Sequence, residues 1–451
     1  MSAQKLDRCF LLNCGLARVI RWSLLTSLAL IATGNSCTAF AQTEWRSWRG
    51  DQANGMISVC DVPSEWNLED GSKAIKWRIP LPGPGNSSPI VSNGLVWITQ
   101  FDPNSEERQL RCYDMIDGQE KWVYGVKGAE AEPTHPTNPY CSASPVTDGQ
   151  FVVAYFGSAG VFCFRQNGEL VWQQNPGSPQ HLFGQGASPL IHNGLVTLNY
   201  GPGTEQFWIT WDLATGEEKW RLEIPKVDAP NPFDDPNGPQ LPPDSKLRDP
   251  FGTWATAVSV KSETRNELIL ANPKKLLGVN PTTGDVLWEC HGAADQVFCS
   301  PVVVDDAICL LGASAMMVRL GGTGDVTGTM RTWFRERDRG RIGSGVVVDE
   351  TIIVNDMQGI IEAINLEDGE RIWQERLTSG GSSESWSSLV RAGDRLFATS
   401  KNGTVFVFTV TPDYRLLGTN KLNESTNASP AITKDRIFIR TDKHLWCLGA
   451  E

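Results

Sequence analysis

A glycine is followed four residues later by a tryptophan at Gly118/Trp122, Gly168/Trp172, Gly216/Trp220, Gly284/Trp288 and Gly369/Trp373. Runs of alternating apolar residues precede each pair, often opened by Ser-Pro, so one supersecondary unit is being copied along the chain. The units open at Ser88, Ser144, Ser188, Thr256, Ser300, Ser344, Ser388 and Ser429, and a 44-residue step separates Ser144 from Ser188 and each neighbouring opening from Thr256 to Ser388. Within the unit that starts at Ser144, short Val-, Ile- and Phe-rich runs separated by Asp-Gly and Asn-Gly turn pairs predict four strands. Four strands per repeat at this spacing are propeller blades.

The last unit has room for only three strands before Glu451, whereas Ala74–Ile79 reads as a fourth strand, with Trp77, that has no blade in front of it. The two ends therefore complete each other and leave no open sheet end. The expected fold is all-β: an eight-bladed β-propeller of four-stranded antiparallel blades, closed by an N-terminal strand in the last blade. Seven blades is the alternative count. Residues 1–41 read as a signal peptide, 42–73 as a lead-in and 74–451 as the propeller. Trp77, Trp122, Trp172, Trp220, Trp288, Trp333 and Trp373 are expected to wedge between neighbouring blades, each indole N–H finding a backbone carbonyl. Two units are irregular: Trp333 follows Gly328 by five residues, and the seventh unit has no tryptophan.

Lys5, Arg8, Arg18 and Arg21 precede an apolar stretch from Trp22 to Ala32, and Ala39-Phe40-Ala41 follows with small residues at the cleavage positions. This predicts export to the periplasm or cell envelope with cleavage after Ala41, a retained anchor being the alternative. The apolar stretch is shorter than the roughly 20 residues that span a bilayer, so no integral membrane span is expected in the mature chain. Cleavage removes four basic residues and Asp7, taking the formal charge from −12 to −15. So acidic a body repels nucleic acid and anionic lipid.

Eleven cysteines fall to eight once Cys9, Cys14 and Cys37 are removed. Cys112, Cys163 and Cys447 occupy the slot held by Gly278 and Ala363 in other units, which predicts buried thiols acting as small hydrophobes. Cys290 with Cys299 is the one local pair to test as a disulfide.

The unit, with its Ala/Cys/Gly slot, Asp-Gly-like turn and Gly-x-x-x-Trp ending, resembles the pyrroloquinoline-quinone (PQQ)-type repeat over nearly all of residues 74–449. The opening Trp45-Arg46-Ser47-Trp48-Arg49-Gly50, followed by Asn54-Gly55, is similar to the lead-in of secreted bacterial propellers of the BamB-like outer-membrane assembly type. The resemblance implies either a cofactor-free binding propeller or a quinoprotein dehydrogenase that oxidises alcohols or sugars with PQQ and calcium. Departures from the enzymes favour the first. No adjacent cysteine pair occurs, and about 51 residues per blade leave little room for the insertions that build calcium sites. Cys37 follows Gly34-Asn35-Ser36 without the apolar residue of a lipidation signal.

In a propeller, the loops from one blade's outer strand to the next blade's inner strand gather around the channel. They carry His135, Asn138 and Tyr140, then His181, Phe183 and Gln185, then Trp254, then His291, Asp295, Gln296 and Phe298, and finally Glu384 with Trp386. Such a polar and aromatic funnel suits a small molecule or peptide; the plain alternative is that long loops are polar anyway. No histidine pair has metal-site spacing, so no metal is expected. Arg331, Arg335, Arg337, Arg339 and Arg341 crowd one connection and suit an acidic ligand or partner, unless Glu336, Asp338 and other carboxylates pair with them. Gly321–Asp325 reads as a hairpin turn, and Asp228–Asp249, rich in Asp and Pro, as a mobile excursion. The reading is an exported, monomeric, non-catalytic binding or scaffold module without cofactor, whose partner is an envelope protein or small molecule. The quinoprotein dehydrogenase is the alternative.

Overall fold

A computed structural model describes residues 44–450 except 59, 69–72, 179, 239, 243–244, 379–382 and 412. The signal segment and its cleavage point after Ala41 lie outside the described residues. The first blade shows the pattern: Ile90–Ser92, Leu95–Asp102, Glu107–Asp114 and Glu120–Lys127 pair in sequence order as an antiparallel meander. Six further blades repeat it, with inner strands opening at Val146, Leu190, Val258, Val302, Val346 and Val390. The eighth is built from both ends of the chain. Ala431–Ile432, Arg436–Arg440 and His444–Gly449 supply three strands, and Ile75–Pro80 adds the outer one, with Trp77 opposite Cys447 and Pro80 opposite His444. The blades number eight, not seven.

Two blades gain a strand. Gly324–Asp325 runs parallel to the outer strand Val286–His291 of blade 4, so the expected turn at Gly321–Asp325 is an edge-covering strand instead. Met56–Ile57 runs parallel to the inner strand Val390–Ala392 of blade 7.

The Gly-x-x-x-Trp spacing is explained by the joint between blades. A Cβ built on Gly118, Gly168, Gly216, Gly284 or Gly369 would lie 2.7–2.9 Å from the indole of Trp77, Trp122, Trp172, Trp220 or Trp333 of the preceding blade. Each of these indoles donates its N–H to a carbonyl in the same turn: Met115, Gln166, Leu213, Pro281 or Leu366, at 2.8–3.1 Å. The glycine thus does two jobs. It adopts a positive φ that side chains resist, and it leaves the flat floor on which the neighbouring ring rests.

Two tryptophans depart from the expected docking. Trp288 is fully buried but lies on Gly278 of its own blade and donates to the buried carboxylate of Glu267. The extra strand Gly324–Asp325 pairs beside it, and no glycine turn faces it from blade 5. Trp373 meets Tyr414, with ring centroids 5.7 Å apart, because blade 7 has no glycine–tryptophan turn to offer. The small-residue slot lies across the ladder from the same tryptophans: Cys112 opposite Trp122, Cys163 opposite Trp172, Ala363 opposite Trp373.

All eight described cysteines are free. Cys290 and Cys299 are not bonded to each other, and the Cys299 thiol points instead to the carbonyls of Arg341 and Gly343, at 3.3 and 3.4 Å. The described residues of the excursion before blade 4 make contacts among themselves. Arg248 donates to the carbonyls of Leu241 and Phe233 at 2.8 and 3.0 Å and pairs with Asp234, while Phe233 is buried.

Candidate functional site

The residue that opens each repeat builds a ring around the channel. The backbone N–H of Ser88 donates to the Ser144 hydroxyl, Ser144 to Ser188, Ser188 to Thr256, and so on to Ser429, at 2.8–3.2 Å. Ser429 N–H closes the circle onto Ser88 Oγ at 2.9 Å. Inner-strand N–H groups at a crowded axis have no ladder partner, so a short hydroxyl from the next blade satisfies each one. The proline that follows Ser88, Ser144, Ser188, Ser300 and Ser429 brings no second N–H that would need a partner.

Above this ring the channel mouth forms a cavity of about 290 Å³. Its lining divides by blade order. Loops entering blades 8, 1 and 2 contribute Asn427, Asn86, His135, Thr137 and Asn138, a polar arc. Loops and turns of blades 3 to 7 contribute Phe183, Trp254, Phe298, Ile342, Met357 and Trp386, an apolar arc. No Asp, Glu, Lys or Arg lines the cavity.

The polar arc is interlocked. Asn86 and Asn427 both donate to the Thr137 carbonyl, at 2.8 and 3.2 Å, and His135 Nδ1 meets the Thr137 hydroxyl at 2.7 Å. Asn138 donates to the carbonyls of Phe183 and Gln185, at 2.7 and 3.0 Å, tying this arc to the aromatic one. In the apolar arc Trp254 stacks on Phe298, centroids 4.6 Å apart, and its N–H reaches the Gly184 carbonyl at 3.0 Å. His181 stands edge-on to Trp254 and is buried, accepting the Phe183 N–H at 3.1 Å through Nδ1. Desolvation pulls its pKa down to about 4, so it is a neutral support for the aromatic wall. Lys401 Nζ lies 4.7 Å over the Trp386 ring.

Other residues expected in the funnel lie elsewhere. His291 is exposed at the end of the outer strand of blade 4, 3.4 Å from Glu289, and is not among the residues that line the cavity. Tyr140 and Gln185 line a separate small cavity against the buried Arg108–Glu132 pair at 2.7 Å, with Tyr140 stacked over Arg108. Asp295 pairs with Lys274, and Gln296 donates to the Pro250 carbonyl at 2.6 Å. Glu384 sits in grooves beside the mouth and pairs with Lys401 at 2.7 Å.

The arginine cluster is largely turned inward. Arg341 is fully buried between Asp338, at 2.8 Å, and Glu362. Arg335 also holds Asp338, at 2.9 Å, and Arg339 holds Asp356 and Glu362, each at 3.0 Å. Burial raises the Asp338 pKa, but Arg341 and Arg335 outweigh it and hold the carboxyl below its usual range. Arg337 takes part in none of these pairs.

Sequence reading missed the lead-in's part in the site. Trp45 bridges to Val91, Thr147 donates to the Arg46 carbonyl, Arg49 to the Gly345 carbonyl, and Arg391 to the Gly55 carbonyl. The segment therefore crosses from blades 1 and 2 to blades 6 and 7 at the end of the inner strands opposite the funnel loops. Trp48 reaches the same cavity from there. Arg49 is wholly buried beside it, its pKa pulled down to about 10 by desolvation. Such non-local contacts leave no spacing in the chain to find them by.

Eight blades with this closure define a PQQ-like β-propeller. The profile for the family described as outer membrane protein assembly factor BamB matches residues 61–244 and 339–451, more than half of the chain, and the chain belongs to that family. No curated protein matches it in sequence. BamB from Moraxella catarrhalis has a TM-score of 0.55 at 13% identity, covering 84% of this chain and 97% of its own. A europium-containing methanol dehydrogenase has a TM-score of 0.66 at 10% identity over 90% of this chain and 91% of its own. The quinohemoprotein alcohol dehydrogenase from Comamonas testosteroni has a TM-score of 0.65 at 10% identity, covering 92% and 81%. Identities this low show a shared fold alone.

Proposed function

We propose that this chain is an exported, monomeric, non-catalytic propeller that acts as a binding or scaffold module of the bacterial cell envelope, in the periplasm or at its membranes. The family description, an outer-membrane assembly factor, supports the address and the role. Among the described residues no helix is long and apolar enough to cross a membrane.

The observation that carries the non-catalytic reading is the chemistry of the channel mouth. Pyrroloquinoline quinone is a tricarboxylate, and a site for it needs cationic side chains against its carboxylates and oxygen donors for a divalent ion beside it. The cavity lining has no Lys or Arg and no carboxylate. Of the nearby charged groups, Lys401 with Glu384 and Arg339 with Asp356 are paired in the adjoining grooves, and Arg49, buried beside Trp48, is held by the Asn54 and Gly345 carbonyls. The residues present do not fit the cofactor.

The test is direct. Mature protein mixed with pyrroloquinoline quinone and calcium, then desalted, is expected to keep no quinone absorbance and to reduce no dye with alcohols or sugars. Retained quinone with turnover would establish the dehydrogenase instead.

A further inference from the structure

Resting on the binding-module reading, we infer that the channel mouth is a site for a neutral oligosaccharide. The inference starts from a pairing of surfaces that few ligand classes match. One arc offers flat aromatic faces, with Phe183, Trp254, Phe298 and Trp386 all half-buried and so still presenting part of each ring to the cavity. The opposite arc keeps hydrogen-bonding capacity beyond its own bonds: Asn86 and Asn427 each retain one amide N–H, the buried Oδ1 of Asn427 has no partner, and Asn138, whose two N–H groups are committed to Phe183 and Gln185, offers its oxygen. A pyranose ring has this same split character, with axial C–H groups that pack on a π face and equatorial hydroxyls that donate and accept together.

Charge decides against the other candidates of similar size. Nucleotides, uronic acids, amino acids and sulfated sugars all carry ionised groups, and burying one without a partner is costly. The lining supplies no Asp, Glu, Lys or Arg to meet one, and its one imidazole, His135, is already engaged with the Thr137 hydroxyl. A purely apolar side chain would fill the aromatic arc and leave the polar arc desolvated and unmatched, which carries its own cost.

The surroundings extend the site beyond one ring. The hydroxyl circle and Trp48 line the deep end of the cavity, and the funnel loops line its mouth. Two grooves of about 480 and 350 Å³ adjoin the cavity, the first sharing Met357 and Trp386 with it, the second Asn86, Thr137 and Asn427. A chain of sugars seated by one ring at the mouth has room to continue on either side.

The experiment titrates mature protein with the neutral hexasaccharides of cellulose, mannan, xylan and chitin, and with oligogalacturonate as the acidic comparison. Tryptophan fluorescence and calorimetry are the readouts. At least one neutral series is expected to quench emission, with affinity rising with chain length. Trp386→Ala is expected to weaken it about tenfold and Trp386→Phe to restore part of the loss, with melting curves confirming that both variants fold. The inference is overturned if no neutral series binds, if only the acidic oligomer binds, or if Trp386→Ala leaves affinity unchanged. Binding of an aromatic or proline-rich peptide in place of every sugar would overturn it equally. Quinone retention sinks the non-catalytic reading, whereas failure of every sugar with no quinone retained sinks this inference alone.

Discussion

Alanine at Gly216 and, separately, at Gly194 divides the two demands this fold makes on a glycine. Both residues lie in blade 3, with φ of +72° and +73°, so alanine meets the same left-handed strain at either site. That strain costs about 1–2 kcal/mol. The surroundings differ. A Cβ on Gly194 has nothing within 4 Å, whereas one on Gly216 falls 2.7 Å from Cδ2 and Cγ of Trp172. Overpacking of this kind adds about 1–3 kcal/mol. If the indole retreats instead, its 2.8 Å bond to the Leu213 carbonyl goes with it, at about 1 kcal/mol. Gly194→Ala should therefore cost about 1–2 kcal/mol and Gly216→Ala roughly 2–5 kcal/mol. Urea midpoints, followed by far-UV circular dichroism and tryptophan emission, measure both. Trp172→Ala completes a double-mutant cycle: with the ring gone, Gly216→Ala should cost no more than Gly194→Ala. Equal midpoint shifts for the two glycines, or no coupling between Gly216 and Trp172, would refute the blade joint as the origin of the repeat.

The hydroxyl ring predicts that Ser144→Ala loses about 1–3 kcal/mol by stranding the Ser88 N–H, while Ser144→Thr is tolerated as at Thr256; thermal melts distinguish them. Burial holds His181 and His192 at about 4, below their unfolded value of 6.5. Each therefore contributes stability that is complete above pH 6.5 and is lost as pH falls toward 4, about 3 kcal/mol apiece at the limit. Urea midpoints measured from pH 7.5 to 4.5 should fall, and His192→Gln should flatten the slope. Desolvation lifts the thiols of Cys112, Cys141, Cys163, Cys299, Cys309 and Cys447 to about 12. In native protein a thiol reagent followed by mass spectrometry should reach the half-buried Cys60 first and these six only on unfolding. Binding at the channel mouth should change little between low and high salt by calorimetry, since no charged side chain lines it.

Much of the architecture was legible because the blade joint imposes a local rule. A tryptophan needs a glycine on the next blade, and each blade supplies both at fixed spacing, so the steric demand is written into the chain as a period. The clasp of Ile75–Pro80 on His444–Gly449 was legible for a similar reason: a strand too many at one end and too few at the other. What failed was whatever depended on contacts between distant segments. The arginines before blade 6 look like an open patch until Glu362, in a middle strand of that blade, is seen beneath them. His291 reads as a loop residue in the sequence, yet the outer strand of blade 4 runs to that position, beyond where the turn residues suggest. Trp48 and Arg49 are legible as part of a lead-in motif but not as residues of the channel, since a strap across a channel has no periodicity to betray it.

The placement of charge ties the fold to its use. One residue in five is charged along the whole chain, yet none of the twenty that line the mouth is. The loops that surround it are rich in charge, but they settle it internally, as in Arg341 between Asp338 and Glu362, Arg108 against Glu132, and Lys401 against Glu384. Each pair anchors a funnel loop to a blade or to its neighbour, while Arg49, buried beside Trp48, is held by the Asn54 and Gly345 carbonyls. Rigid walls of rings and amides around a neutral cavity lose little entropy on binding, and they discriminate by shape and hydrogen-bond pattern rather than by charge. An acidic protein thereby places, where its eight blades converge, a lining without Asp, Glu, Lys or Arg.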